Sequence, residues 1–176
     1  MIYFIRHGES EANLKHVFAG QKDDSPLTEK GRAQAKAEGV KIKEMGIKIN
    51  RIISSPLVRA YDTAKIVAEI VGYTNEISVD PRITEYDMGV LTGTPISNIT
   101  SDQMIAAEHA EDPQNFLDRV EAFLNEWKNK DEVILMVCHA GVGKVIETIK
   151  TKGDPRLFFD IPAYPNAEVI KLDWLS

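Results

Sequence analysis

Six consecutive apolar residues, Val133-Ile134-Leu135-Met136-Val137-Cys138, run without a charge or a breaker. So short a run is of strand length rather than helix length. An uninterrupted apolar strand is one covered on both faces, which points to a parallel sheet enclosed by helices. The rest of the chain agrees. Further apolar runs of strand length fall at 2–5, 51–54, 76–79 and 169–172, and stretches of helical period lie between them. A helix over 28–45 ends at Gly46. A second, over 57–71, ends at Gly72 and lines up Leu57, Ala60, Ala64, Val67 and Val71 on one stripe. Asp112-Pro113 gives a third helix its N-cap and first position, and Phe116, Val120, Phe123, Leu124 and Trp127 give it a core face. Val142, Val145, Ile146 and Ile149 mark a fourth. The alternation predicts an α/β fold, a three-layer sandwich with a mostly parallel sheet and helices on both faces. No repeat, low-complexity tract or composition shift divides the chain, so a single domain is expected over 1–176. The segment 93–111, with Pro95 and few strong signals, reads as an insertion or lid.

Composition narrows the function. Of 176 residues, 43% are hydrophobic and 27% charged, the balance of a globular protein. No apolar run reaches the length of a membrane helix, and the first residues meet Arg6 too soon for a secretory leader, so a cytoplasmic protein is expected. Cys138 is the only cysteine, which excludes an intramolecular disulfide and a Cys-based zinc site; it reads as core. A net charge of −6 argues against nucleic-acid and membrane partners. An anionic ligand therefore requires a local cluster of positive groups.

Such a cluster is available at the strand ends. Arg6-His7-Gly8-Glu9-Ser10 follows the first strand and His139-Ala140-Gly141 the buried fourth. Ser54-Ser55-Pro56-Leu57 follows the second, with Arg59 in the first turn of the next helix. The carboxyl ends of parallel strands are where open α/β sheets bind ligands, and a helix N-terminus adds partial positive charge. Taken singly, a histidine after a strand is more often structural and an arginine at a helix start more often solvated. Together they make an anion site a reasonable expectation.

The same residues resemble a known family. Arg6-His7-Gly8-Glu9-Ser10 with Asn13 resembles the R-H-G-E/Q-S/T-x-x-N signature of the histidine phosphatase superfamily, in the branch that includes the cofactor-dependent phosphoglycerate mutases and many small phosphatases. Asp24-Ser25-Pro26-Leu27-Thr28 with Gly31, and Ser54-Ser55-Pro56-Leu57-Val58-Arg59-Ala60 with Thr63-Ala64, are similar to its next two blocks. Glu85 with Gly89 and Gly93, then Val137-Cys138-His139-Ala140-Gly141, and finally Asn166-Ala167, complete the series over nearly the whole chain. The resemblance implies a phosphoglycerate mutase-like fold and a phosphomonoesterase that uses neither metal nor cofactor. His7 would be the phosphorylated nucleophile, with its other ring nitrogen held by a backbone carbonyl. Arg6, Asn13, Arg59 and His139 would grip the phosphoryl oxygens, and Glu85 would be the general acid and base.

Departures from the pattern bear on the substrate. Mutases of this family commonly carry basic or hydroxyl groups where this chain has Tyr86, Ala19 and Thr94-Pro95-Ile96, and an acidic residue where it has Thr92. A small phosphorylated metabolite and hydrolysis are expected. The alternatives are a phosphoglycerate-type mutase and an idle phospho-ligand-binding module, which would have no need of Glu85. Gln21, Lys22, Tyr86 and His109 are the candidates for substrate contact outside the phosphoryl grip, with Glu9 and Asp87 the nearest alternative acids. Other features carry no chemistry. Gly141-Val142-Gly143-Lys144 lacks the first glycine and the final Ser/Thr of a P-loop, and Asn98-Ile99-Thr100 is a sequon only formally. Phe123 and Trp127 read as core, His16 as solvated.

Overall fold

The computed structural model describes residues 1–97 and 99–175; Asn98 of the formal sequon and Ser176 lie outside them. Five strands form one sheet: β1 (Ile2–Arg6), β2 (Arg51–Ser54), β3 (Ser78–Val79), β4 (Ile134–Cys138) and β5 (Val169–Lys171). Their order is β3-β2-β4-β1-β5, all parallel except β5, which runs antiparallel to β1 at the edge. The fold is thus the expected mostly parallel α/β sandwich. The expected strand over 76–79 narrows to two residues, for β3 pairs only with β2 and lies at the sheet edge.

The central strand shows why the layers form. Successive side chains of a strand point to opposite faces. Ile134, Met136 and Cys138 enter one core with Ile2 and Phe4, where Phe116, Val120 and Phe123 of α5 (Pro113–Trp127) and Val142, Val145 and Ile146 of α6 (Ala140–Thr151) cover them. Leu135 and Val137 enter the other with Ile5 and Ile52, covered by Ile42 of α2 (Glu29–Glu44) and Ala64, Val67 and Ala68 of α3 (Val58–Val71). Every residue of β4 is buried, so a charge introduced anywhere along it has no route to water.

The caps follow local chemistry. Thr28 accepts from the Gly31 N–H at 3.0 Å to start α2, Asp112 accepts from Gln114 and Asn115 to start α5, and Gly72 ends α3 at φ 73°, a conformation open to glycine. Two short helices are additional to the sequence reading: α1 (Glu11–Leu14), capped by Ser10, and α4 (Ser101–Ile105), capped by Thr100. The segment 93–111 is pinned at both ends. Gly93 N–H donates to Phe18 O at 2.7 Å and Ile96 N–H to His16 O at 3.0 Å, while Glu111 N–H donates to Asp87 O at 2.9 Å.

The register brings three strand ends together. Arg6 pairs with Cys138 and Ser54 with Val137, and the ladder continues one residue further through His7 N–H to Cys138 O and Ser55 N–H to Val137 O, both 2.9 Å. His7, Ser55 and His139 therefore leave the sheet side by side.

Candidate active site

His7 is 3% exposed, and its Nδ1 lies 2.7 Å from the carbonyl oxygen of Gly8. A carbonyl can only accept, so Nδ1 carries the hydrogen and Nε2 keeps a free lone pair. The turn that allows this is tight. A Cβ on residue 8 would lie 2.3 Å from Gly31 O, so glycine is required there, and the Gly8 N–H is held by Thr63 Oγ1 at 3.1 Å. Asn166 Nδ2 donates to His7 O at 2.8 Å from the opposite side.

The second histidine stands beside the first. The rings of His7 and His139 are 5.2 Å apart, edge to face, and His139 is fully buried with Nε2 2.7 Å from Ser55 Oγ. Its Nδ1 is buried without a partner among the described residues. Burial drives the pKa of both rings well below the ordinary histidine value, and the guanidinium charges of Arg59 and Arg6 add to the effect. Both are neutral at pH 7.

Arg59, 1% exposed, donates to Gly20 O at 2.8 Å and Asp23 O at 2.9 Å; Arg6 donates to Tyr164 O at 2.8 Å and has a buried Nε without a partner among the described residues. Each is lowered in pKa by desolvation, with the Glu85 carboxylate opposing. Glu85 itself is held at both oxygens, Oε1 by Tyr86 N–H at 2.9 Å and Oε2 by Gly141 N–H at 3.1 Å at the start of α6. A Cβ on residue 141 would come within 2.2 Å of Glu85 Oε1, so this approach also depends on glycine. Arg6, His7, Asn13, Arg59 and Glu85 line one cavity of about 310 Å³, walled by Val17, Phe18, Met88, Ile96, Phe158 and Phe159. A neutral imidazole, a buried and a half-buried guanidinium group and a carboxylate around one cavity can bind an oxyanion, attack it and exchange a proton with what leaves. Among the described residues no group of three or more His, Cys, Asp and Glu is placed to hold a metal ion.

The model of the histidine phosphatase superfamily (branch 1) matches residues 2–176. The chain belongs to that superfamily. Its curated relatives include a probable phosphoglycerate mutase GpmB of Escherichia fergusonii and one of Yersinia pestis, each 42% identical over 102 residues. Each match takes in 58% of this chain and 45% of the relative, so the chain matches about half the length of these relatives. Among solved structures, a mycobacterial glucosyl-3-phosphoglycerate phosphatase in complex with VO3 is 26% identical, with TM-score 0.77 over 96% of this chain and 90% of that one. Bacillus stearothermophilus YhfR shares the fold at TM-score 0.83 and 24% identity, over 98% of this chain and 91% of its own.

Within this family fold the sequence-predicted residues are placed as follows. Arg6, His7, Asn13, Arg59 and Glu85 border the cavity, with His139 buried against His7. Asn13 Oδ1 accepts from Ser10 N–H at 3.1 Å, which fixes the side chain beside α1. Gln21 Nε2 donates to the Glu85 carbonyl at 2.8 Å and does not line the cavity, so the expected substrate contact is replaced by a tie to the Glu85 loop. Tyr86 presents only its ring to the cavity. The hydroxyl donates to Glu111 O, and the ring is clasped by Phe116, Phe158 and Phe159 at centroid distances of 5.1 to 5.4 Å. Lys22 pairs with Asp87 at 3.5 Å, Glu9 with Lys30 at 2.8 Å, and exposed His109 with Glu108 at 3.1 Å. Glu9, Asp87 and His109 do not line the cavity.

Sequence reasoning passed over two residues. Arg119 of α5 donates to the carbonyls of Arg82, Thr84 and Glu85 at 2.7, 2.7 and 3.0 Å, and grips Glu111 with Nε and a terminal nitrogen at 2.7 and 2.9 Å. Its signal was an arginine between Phe116 and Phe123 on the core-facing side of a helix. Lys144 borders the cavity from α6. In the sequence it closes the incomplete P-loop pattern Gly141-Val142-Gly143-Lys144, which hides its place one turn on from Gly141.

Proposed function

We propose that the protein is a metal-independent phosphomonoesterase that works through a phosphohistidine at His7. The observation that carries the reading is the Nδ1 to Gly8 O hydrogen bond in a ring kept neutral by burial, which leaves Nε2 as a nucleophile inside a cationic cavity. Nε2 attacks the phosphorus and the bond to the ester oxygen breaks. Glu85, in its protonated form, gives the leaving oxygen a proton. The carboxylate so formed then takes a proton from a water that attacks the phosphohistidine, and phosphate leaves with His7 restored. Arg6, Arg59 and His139 stabilise the equatorial oxygens, which is most of what phosphoryl transfer asks of a protein. The glucosyl-3-phosphoglycerate phosphatase that shares the fold supports hydrolysis of a small phosphorylated compound.

A second reading, mutase activity, is favoured by the match to the probable phosphoglycerate mutases. Conversion of 3- to 2-phosphoglycerate faster than release of phosphate would establish it. Hydrolysis of p-nitrophenyl phosphate in excess chelator is expected, with a loss of about a thousandfold or more in His7→Ala, and a phosphoenzyme stable to base and labile to acid. Activity that vanishes in chelator and returns with a divalent metal would overturn the proposal, as would an active His7→Ala.

A further inference from the structure

Stabilising a phosphoryl oxygen requires His139 to donate a hydrogen. Burial, with the charge of Arg59 adding to it, holds the ring well below the ordinary histidine value, so it is neutral and carries one hydrogen. Only one of its two nitrogens can donate. The neighbour at the end of β2 decides which.

Ser55 is fully buried, with its own N–H fixed to Val137 O at 2.9 Å. Its Oγ lies 2.7 Å from His139 Nε2 and accepts from the Leu57 N–H at 3.3 Å. A hydroxyl has one hydrogen and two lone pairs. Were Nε2 the protonated nitrogen, Oγ would accept twice and its own hydrogen would be buried with no acceptor among the described residues, a costly arrangement. With the hydroxyl donating to Nε2, its hydrogen, its oxygen and Nε2 are all paired. The ring hydrogen then sits on Nδ1, the nitrogen that is buried without a partner among the described residues. The His7 ring, 5.2 Å away, also carries its hydrogen on Nδ1 yet offers the other nitrogen. There an acceptor, Gly8 O, leaves the Nε2 lone pair bare for phosphorus; here a donor, the Ser55 hydroxyl, leaves an N–H bare for oxygen.

We propose that Ser55 is a positioning residue, whose hydroxyl donates to Nε2 and so keeps the hydrogen of His139 on Nδ1, from which it is donated to a phosphoryl oxygen seated at His7. This rests on the phosphohistidine reading of the site and adds to it the origin of the neutral donor.

The test reads the tautomer directly. Long-range 1H–15N spectra of the wild-type protein, alone and saturated with vanadate, are expected to show His139 as the neutral Nδ1–H form, its signals assigned by their loss in His139→Ala. A ring protonated on Nε2, or on both nitrogens, in the vanadate complex would overturn the proposal even if every variant misfolds. Calorimetry should show Ser55→Ala binding vanadate about 10- to 100-fold more weakly, the scale of one hydrogen bond to a charged group. His139→Ala should lose a similar factor, and the double variant little more than either alone. Losses that multiply would give Ser55 a role independent of His139 and overturn the proposal, as would an unchanged affinity in Ser55→Ala. Turnover of p-nitrophenyl phosphate by the wild type tests the phosphatase reading separately. An inactive protein whose vanadate complex holds the Nδ1–H ring would refute that reading and uphold the role of Ser55.

Discussion

Lowering the pH from 6.5 to 5.0 without phosphate-like anions is expected to destabilise the protein, by at most about 3 kcal/mol. The cause is the pair of buried rings. In the unfolded chain a histidine titrates near 6.5, whereas burial and the two guanidinium charges hold His7 and His139 well below that value in the fold. The unfolded state therefore takes up protons first as pH falls. The stabilisation from these groups is fully present above pH 6.5 and is lost as pH drops towards their folded values. Each ring contributes up to about 1.4 kcal/mol per pH unit between its unfolded and folded values, so with the curvature near pH 6.5 two of them contribute at most about 3 kcal/mol by pH 5. That is a large part of a typical total stability of about 5 to 15 kcal/mol.

The window isolates the histidines. Glu9, Glu132 and Asp154 are lowered by hydrogen bonds from Lys30, Arg51 and Arg156, Asp154 to about 2, so their contributions fade only as pH falls through the carboxylate range. Urea unfolding followed by tryptophan fluorescence at pH 7.5, 6.5, 5.8 and 5.0, at fixed ionic strength, gives the slope. His7→Gln and His139→Gln should each remove about half of it. A wild-type stability flat across this range, or an unchanged slope in both variants, would refute the assignment of neutral buried rings. Inorganic phosphate should raise stability in proportion to its occupancy of the site.

Three further outcomes are expected. Glu85→Gln should lose roughly 10²- to 10⁴-fold on alkyl phosphates, whose leaving oxygen needs a proton, and far less on p-nitrophenyl phosphate; equal losses on both would refute acid catalysis. Gly141→Ala should show the same leaving-group signature at about 10- to 100-fold, since its Cβ would sit 2.2 Å from Glu85 Oε1 and displace the carboxylate; unaltered kinetics would show the carboxylate working from another position. Arg119→Lys loses the fork that ties three carbonyls to Glu111, so kcat on alkyl phosphates should fall about tenfold with KM nearly unchanged, and a loss confined to KM would argue against positioning.

The sheet was legible because strand periodicity and burial are written in side chains. The apolar run at 133–138 became β4 over 134–138, with alternate residues feeding two cores. The two histidines of the candidate site were legible because each sits one residue past a strand end, where topology alone brings His7 and His139 to 5.2 Å. The outer wall was not. Helix α4 is five residues long, and its Ser101 hydroxyl meets Asp160 at 2.5 Å across 59 positions, a contact that no local pattern announces. The 155–160 segment supplies Phe158 and Phe159 through a 3₁₀ turn, whose short period leaves no stripe to count.

What was hidden most thoroughly is how the cations are held. Arg6 is anchored by Tyr164 O, Arg59 by Gly20 O and Asp23 O, and Lys144 by Phe159 O. Every anchor is a backbone carbonyl, which any residue supplies and no sequence pattern marks. The choice has an electrostatic consequence. A carboxylate in any of these places would fix the side chain equally well, yet it would cancel the charge it positions and weaken the field at Nε2 of His7. Carbonyl dipoles orient the cations and leave their charge for the ligand. Burial lowers both histidine pKa values and the charges of Arg59 and Arg6 lower them further, so the arrangement that attracts an oxyanion also keeps His7 unprotonated. In a chain with a net charge of −6, these cations are anchored by neutral carbonyls, with the Glu85 carboxylate lining the same cavity.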